Sequence, residues 1–342
     1  MNRTPLRALV AFAVIASTMA AGSATKPVDP GSAAAEHQRI VDFWTNERVS
    51  QAIPRDFVKT GPGRYAPVAK PDKPGKPGGG GSGGGGTITG ASWNGAGAVA
   101  DTTGKVLFAM GGSYYVCSAS LVTDNKSDRS IVLTAAHCIY DEAGEAFATN
   151  WMFIPNYDAA PASLTTSGSF CDSTKWGCWS ATGLVAHNGY TSAGSFNDQA
   201  VVYDFGFAVL GSGGKSGGQA DATIGKTQTI AYDVNDGGVN VYAFGYPAAK
   251  KYKGNDLVYC AGPTGFDPLM GDQTYKIACD MTGGSSGGPW MRDFSTSTGS
   301  GVLTSVNSYG YSGDNSMHGP KFNSNTRAAF DLAVTVGSGI VP

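Results

Sequence analysis

From Thr87 onward the chain is built of short apolar runs broken by Gly, Asn, Asp and Ser. The runs are KVLFAM (105–110), YYVCSASLV (114–122), SIVLTAAH (130–137), ATNWMFIP (148–155), AVVYDFGFAVL (200–210), GVNVYAFGYP (238–247), KIACDM (276–281) and SGVLTSVNSYGY (300–311). Runs of this length, rich in Val, Phe and Tyr and separated by turn residues, predict the strands of an all-β barrel or sandwich. No strand–helix–strand alternation and no internal repeat interrupts them. The segment YDVNDGGVNVYAFGYP carries Asp-Gly-Gly between alternating apolar residues, which predicts a hairpin turn. Near the end, RAAFDLAVTVG (327–337) spaces its apolar residues at helical intervals and predicts a closing helix.

The N-terminal part has a different pattern. Arg3 and Arg7 precede an apolar run from Ala8 to Ala16 and then small residues, the layout of a signal peptide cleaved near residues 20–24. The rival reading is a membrane anchor, for which the run is borderline in length. Removal of residues 1–24 predicts a soluble exported protein, in the periplasm or the medium. Residues 25–70 contain AAAEHQRIVDFWTNERVSQAI, in which Ile40, Val41, Phe43 and Trp44 can form one apolar helix face. Then PDKPGKPGGGGSGGGG (71–86) reads as a stiff Pro/Lys stretch followed by a flexible Gly run. Residues 25–70 are therefore expected to be a propeptide, 71–86 a linker and 87–342 the main domain.

Composition narrows the function. Charged residues make up 15% of the chain and the formal net charge is −2, so no basic surface for nucleic acid is expected. The six cysteines, Cys117, Cys138, Cys171, Cys178, Cys260 and Cys279, read as three disulfides in an exported chain. Sequence spacing alone leaves the pairing open. Zinc is disfavoured, because no CxxC pair occurs.

Three short segments carry candidate chemistry. An apolar strand delivers His137 between small residues and Cys138; Asp204 sits among Tyr, Phe and Val; and Ser286 lies in DMTGGSSGGPW (280–290). Each has a plain structural alternative. The chain has 50 glycines, and GGGGSGGGG around Ser82 shows that a Gly/Ser stretch by itself means little. Together they supply a hydroxyl, a base and an acid, the set that acyl transfer through serine requires. Burying a carboxylate costs several kcal/mol unless it is paired, which gives Asp204 a reason to meet His137. Glycines beside the serine allow the backbone N–H groups of Gly284 and Ser286 to converge on one developing oxyanion. Asp198, in a polar Asn-Asp-Gln turn, is the rival acid. His187 and His318, in Gly/Asn-rich surroundings, are expected at the surface, and His37 belongs to the propeptide.

TAAHC, the Asp204 segment and GGSSGGP resemble the signature segments of the chymotrypsin-like serine peptidases. CDMTGGSSGGP is most similar to the serine motif of the bacterial secreted V8-like, glutamyl-endopeptidase branch. The resemblance covers most of 87–342. It implies two packed antiparallel six-stranded β-barrels with the site between them. His137 would be the general base, Asp204 its orienting acid and Ser286 the nucleophile of a serine endopeptidase acting on peptide or protein substrates. It further implies Cys117–Cys138, Cys260–Cys279 and Cys171–Cys178 as bridges. No metal or organic cofactor is needed, and a monomer is expected.

The substrate wall is expected at TSVNSYGY, with Asn307, Ser308, Tyr309 and Gly310 beside the substrate. Asn307 stands where glutamate-specific relatives have His, which argues against glutamyl specificity. Asp280 reads either as a trypsin-like reader of basic side chains or as a hydrogen-bonded loop carboxylate. Ser285 precedes the nucleophile where trypsin-like animal peptidases carry Asp, so an ion pair there cannot be the activation switch. Two rival functions remain: a peptide-binding module that kept the barrel, and an esterase.

Overall fold

A computed structural model describes Met1 and residues 30–68, 87–157, 170–248 and 251–342. Six antiparallel strands close on themselves: Thr103–Met110, Ser113–Val122, Ser130–Thr134, Thr149–Pro155, Trp179–His187 and Gly206–Leu210. Closure comes from the pairing of Ser113–Val122 with Ser130–Thr134, in the register Ser120↔Leu133. The barrel is filled by the fully buried Val106, Phe108, Leu121, Val132 and Phe153, while Phe207 lies on the outer face against Phe330. These come from the apolar runs in the sequence. Closing a sheet leaves no unpaired edge to protect.

The second half is a pair of sheets. One contains Ile88–Ser92, Asn240–Gly245, Val258–Pro263, Pro289–Ser295 and Ser300–Val306; the other contains Thr274–Ala278, Tyr309–Tyr311 and Ser316–Pro320. Val241, Val258, Ile277, Trp290 and Met317 pack between them, and Cys260–Cys279 ties one sheet to the other. The architecture is the two-barrel, mostly β fold expected. Cys117–Cys138 and Cys171–Cys178 form the other two bridges. The helix Ser324–Thr335 opens on an Asn323 capping box and packs back on the first barrel.

Three expectations fail. The Asp236-Gly237-Gly238 turn does not close a hairpin: Asn240–Gly245 pairs with Val258–Pro263 and Pro289–Ser295 instead. Asp236 is buried and meets Arg292 at 3.0 Å, so a long-range ion pair takes the loop inward. His187 and His318 are not at the surface; they are 6% and 0% exposed. His187 stacks on Tyr203, and His318 stacks on Tyr309 and reaches Asp267 at 3.2 Å. The run at 200–210 is strand only from Gly206; Asp198–Val202 is a helical turn.

The expected signal peptide and linker, residues 1–24 and 71–86, fall outside the described residues apart from Met1. Among the described residues no helix is long and apolar enough to cross a membrane. Residues 30–68 fold onto the rest. The helix Pro30–Phe43 lies against the first barrel and buries Ile40; Trp44, just past its end, is buried too, and its indole donates to the Asn150 carbonyl at 2.7 Å.

Candidate active site

The apolar strand Ser130–Thr134 ends in a single 3-10 turn, Ala136–Cys138, which delivers His137 to the gap between the two halves. The disulfide from Cys138 to Cys117 pins that turn to the neighbouring strand. Asp204 follows the helical turn Asp198–Val202 and precedes the strand Gly206–Leu210, which pairs with the histidine strand. The two side chains therefore meet: His137 Nδ1 lies 2.7 Å from Asp204 Oδ2, and the His137 backbone N–H donates to Asp204 Oδ1 at 2.9 Å. Both side chains are fully buried. Ser308 Oγ donates to Asp204 Oδ2 at 2.5 Å, so the carboxylate holds three hydrogen bonds.

The loop that carries Ser286 is fixed from behind. Ser118 Oγ donates to the Gly284 carbonyl at 2.8 Å, and the Ser118 N–H donates to the Ser286 carbonyl at 2.7 Å. Gly284 has φ +97°, and a Cβ there would lie 2.8 Å from the Tyr246 carbonyl oxygen. Gly287 has φ +79°, and a Cβ there would lie 2.1 Å from Thr134 Oγ1. Only glycine fits this course of the chain, which gives the glycines of GGSSGGP a structural reason.

The remaining predicted residues divide. Asp280, Tyr309 and Gly310 line a cavity of about 450 Å³ beside the serine, together with Lys251 and Tyr311. Asp280 is not a free carboxylate there. Lys251 Nζ and the Tyr252 hydroxyl both bond to it. Burial, then the Asp280 hydrogen bond, push the Tyr252 phenol well above its ordinary value. Asn307 does not line the cavity. Its amide donates to the Phe244 and Ser285 carbonyls and accepts from the Trp290 indole, bracing the loop that carries Ser286. Asp198, the rival acid, lies elsewhere, paired with Lys59 at 2.6 Å and accepting from the Tyr65 hydroxyl at 2.9 Å.

Behind the cavity wall, Asp267 accepts from the Tyr309 and Tyr311 hydroxyls at 2.7 and 2.6 Å. Burial pushes the Asp267 carboxyl up, but His318, Tyr311 and Tyr309 outweigh it and hold it well below the usual carboxylate range. Burial lowers His318, with Asp267 partly opposing. Sequence reasoning missed Ser118, Lys251, Tyr252 and Asp267, and it missed the bond from Ser308 to Asp204; all are long-range partners with no local signal.

Comparison with known proteins agrees with this fold. The profile of the lysyl endopeptidase C-terminal domain matches residues 89–182. The thermostable serine protease AL20, from an extremophilic microorganism, is 36% identical. Its alignment covers 70% of this chain and 99% of AL20, with a TM-score of 0.58. The protease Anisep from Arthrobacter nicotinovorans is 34% identical, with 72% and 99% coverage and a TM-score of 0.59. A Glu endopeptidase at 18% identity, with 72% and 97% coverage and a TM-score of 0.53, shares the fold. No curated protein sequence matches. The protein is thus a serine endopeptidase with a trypsin-like fold. Within that class, identities of 36% and 34% over 99% of AL20 and of Anisep place the chain in the same family as these proteases.

Proposed function

We propose that the protein is an exported endopeptidase that cleaves peptide bonds through His137, Asp204 and Ser286 and is made with residues 25–70 as a propeptide. The observation that carries the reading is the buried contact of His137 Nδ1 with Asp204 Oδ2 at 2.7 Å, in the cleft that also holds Ser286. Asp204 fixes the imidazole tautomer so that Nε2 takes the serine proton. The alkoxide attacks the substrate carbonyl, and the N–H groups of Gly284 and Ser286 stabilise the oxyanion. His137 then returns the proton to the leaving amine, and water resolves the acyl-enzyme by the same route. No step calls on a metal: of the buried group Cys117, His137 and Cys138, two sulfurs are spent on a disulfide.

The side chain before the scissile bond enters the cavity beside Asp280. The charge of Asp280 is matched by Lys251, which supports acceptance of uncharged side chains over lysine or arginine. The lysyl endopeptidase match ends at residue 182, before any of the cavity residues 251–317. Export is supported by the N-terminal pattern and the three disulfides. Ser286→Ala in the mature domain should leave the fold intact and lower peptide hydrolysis by about 10⁴-fold or more. Full activity in that variant would overturn the assignment.

A further inference from the structure

His137 and Ser286, the two side chains that must touch a substrate, are 0% and 2% exposed. What covers them is the N-terminal segment. Ile53–Pro54 pairs with the strand Ser113–Val122, and Phe57–Gly61 pairs in parallel with the cavity wall Tyr309–Tyr311, in the register Phe57↔Tyr309, Val58↔Gly310, Lys59↔Tyr311. The wall's backbone is thereby taken by this chain's own residues, as an added strand takes a sheet edge. Between the two pairings, Asp56 comes to the serine: Ser286 Oγ donates to Asp56 Oδ1 at 3.3 Å. Pro54 and Asp56 lie against Gly283, where a Cβ would come within 2.8 Å of Pro54 and 2.9 Å of Asp56. Phe57 stacks on Phe196 at 4.0 Å between ring centroids and sets its edge to the His137 ring at 5.6 Å. His137 Nε2 has no hydrogen-bond partner among the described residues.

Resting on the reading of Ser286 as nucleophile, we propose that residues 53–59 are a built-in inhibitor of the active centre, with Asp56 as the group that disarms the serine. A carboxylate at this place is an acceptor and not an electrophile. It takes the hydroxyl's hydrogen bond away from His137 and offers no carbonyl to attack, so the segment occupies the cleft without being cut. Two cations hold it down. Arg55, 8% exposed, donates to the His137 carbonyl and meets Glu142 at 3.0 Å and Asp141 at 3.5 Å. Lys59 Nζ, buried as well, meets Asp198 at 2.6 Å. The rival triad acid thus has another role, as an anchor for the inhibitory strand. Removal of the segment exposes His137 and Ser286 and frees the wall at 309–311.

The test compares labelling of Ser286 by a tagged fluorophosphonate in three forms of the full chain, each shown to be folded by circular dichroism. The first is the intact chain. The second is the same chain folded intact, then cut at an engineered protease site within 78–86 and freed of its N-terminal piece. The third is the intact double variant Arg55→Ala, Asp56→Ala. An occupant tethered in the same molecule acts at millimolar effective concentration, so the intact chain should label at least about a hundredfold more slowly than the freed domain. The double variant should label within about tenfold of the freed domain. Equal rates in the intact and freed forms would overturn the inhibition and leave the serine assignment standing. A double variant as slow as the intact chain would overturn the roles of Arg55 and Asp56. A freed, folded domain that takes no label would overturn the serine assignment and this proposal with it.

Discussion

Ser308 donates a hydrogen bond to the oxygen of Asp204 that also meets His137 Nδ1, at 2.5 Å. The proposed substrate wall and the proposed acid of the triad are therefore one unit. A hydrogen bond to a charged group is worth about 1.5–3 kcal/mol, so Ser308→Ala should lower kcat roughly tenfold to a hundredfold. KM should change little, since the lost hydroxyl bonds Asp204 and not the cavity. Steady-state kinetics on a peptide substrate checks this, and an unchanged kcat would show that Asp204 holds His137 without help.

Lys251→Ala should change specificity. With its partner gone, Asp280 presents an unmatched carboxylate to the cavity. A charge recovered at a partly exposed site is worth about 1 kcal/mol, so kcat/KM for lysine or arginine before the scissile bond should rise about five- to tenfold relative to leucine. A peptide library profiled on both forms measures it. No shift toward basic residues would mean that Tyr252 alone keeps Asp280 out of reach.

The local parts of this site were legible in the sequence. TAAHC and GGSSGGP each carry their meaning within a few residues, because a histidine at the end of a buried strand and a serine in a glycine-forced loop are local devices. Asp204 was readable as a carboxylate that needed a partner. The partners across the fold were not readable. His318 sits in MHGP, a surface-like stretch, yet it is buried by Tyr309 and Asp267. Asp236 has the turn signature of a hairpin but is drawn in by Arg292. Asn307 was expected beside the substrate; its amide instead satisfies the carbonyls of Phe244 and Ser285. Composition marked residues 25–70 as separate, but nothing local shows that Arg55, Asp56 and Lys59 would reach the active centre.

Stability should depend on acid through Asp101. Burial pushes its carboxyl up, but hydrogen bonds from Lys175, Lys226 and Asn156 outweigh this and hold it at about 2. The unfolded chain binds the proton more readily, so the stabilisation is full above about pH 4 and is lost as pH falls through about 2. Both lysines are about two-fifths exposed, which limits the effect. Asp101→Asn should cost roughly 1–2 kcal/mol at pH 7, and the difference should narrow steadily toward pH 2.5 in urea unfolding. A constant difference across that range would contradict the assignment.

The Cys117–Cys138 bridge should matter to stability and to the site alike. It closes a loop with a sequence separation of 21 residues and ends beside His137. Loop-entropy reasoning gives about 3 kcal/mol for a loop of this size. Replacing both cysteines by serine should lower stability by about that amount in denaturant unfolding of the oxidised protein. A loss well under about 1 kcal/mol would mean that strand pairing alone holds the histidine turn.

The most direct measurement is the mass of the freed domain after reaction with a fluorophosphonate, with the adduct mapped by peptide sequencing. The account predicts one adduct, on Ser286, and none in His137→Ala. An adduct on another residue, or none on the folded domain, would contradict the central claim that Ser286, activated by His137 and Asp204, is the nucleophile.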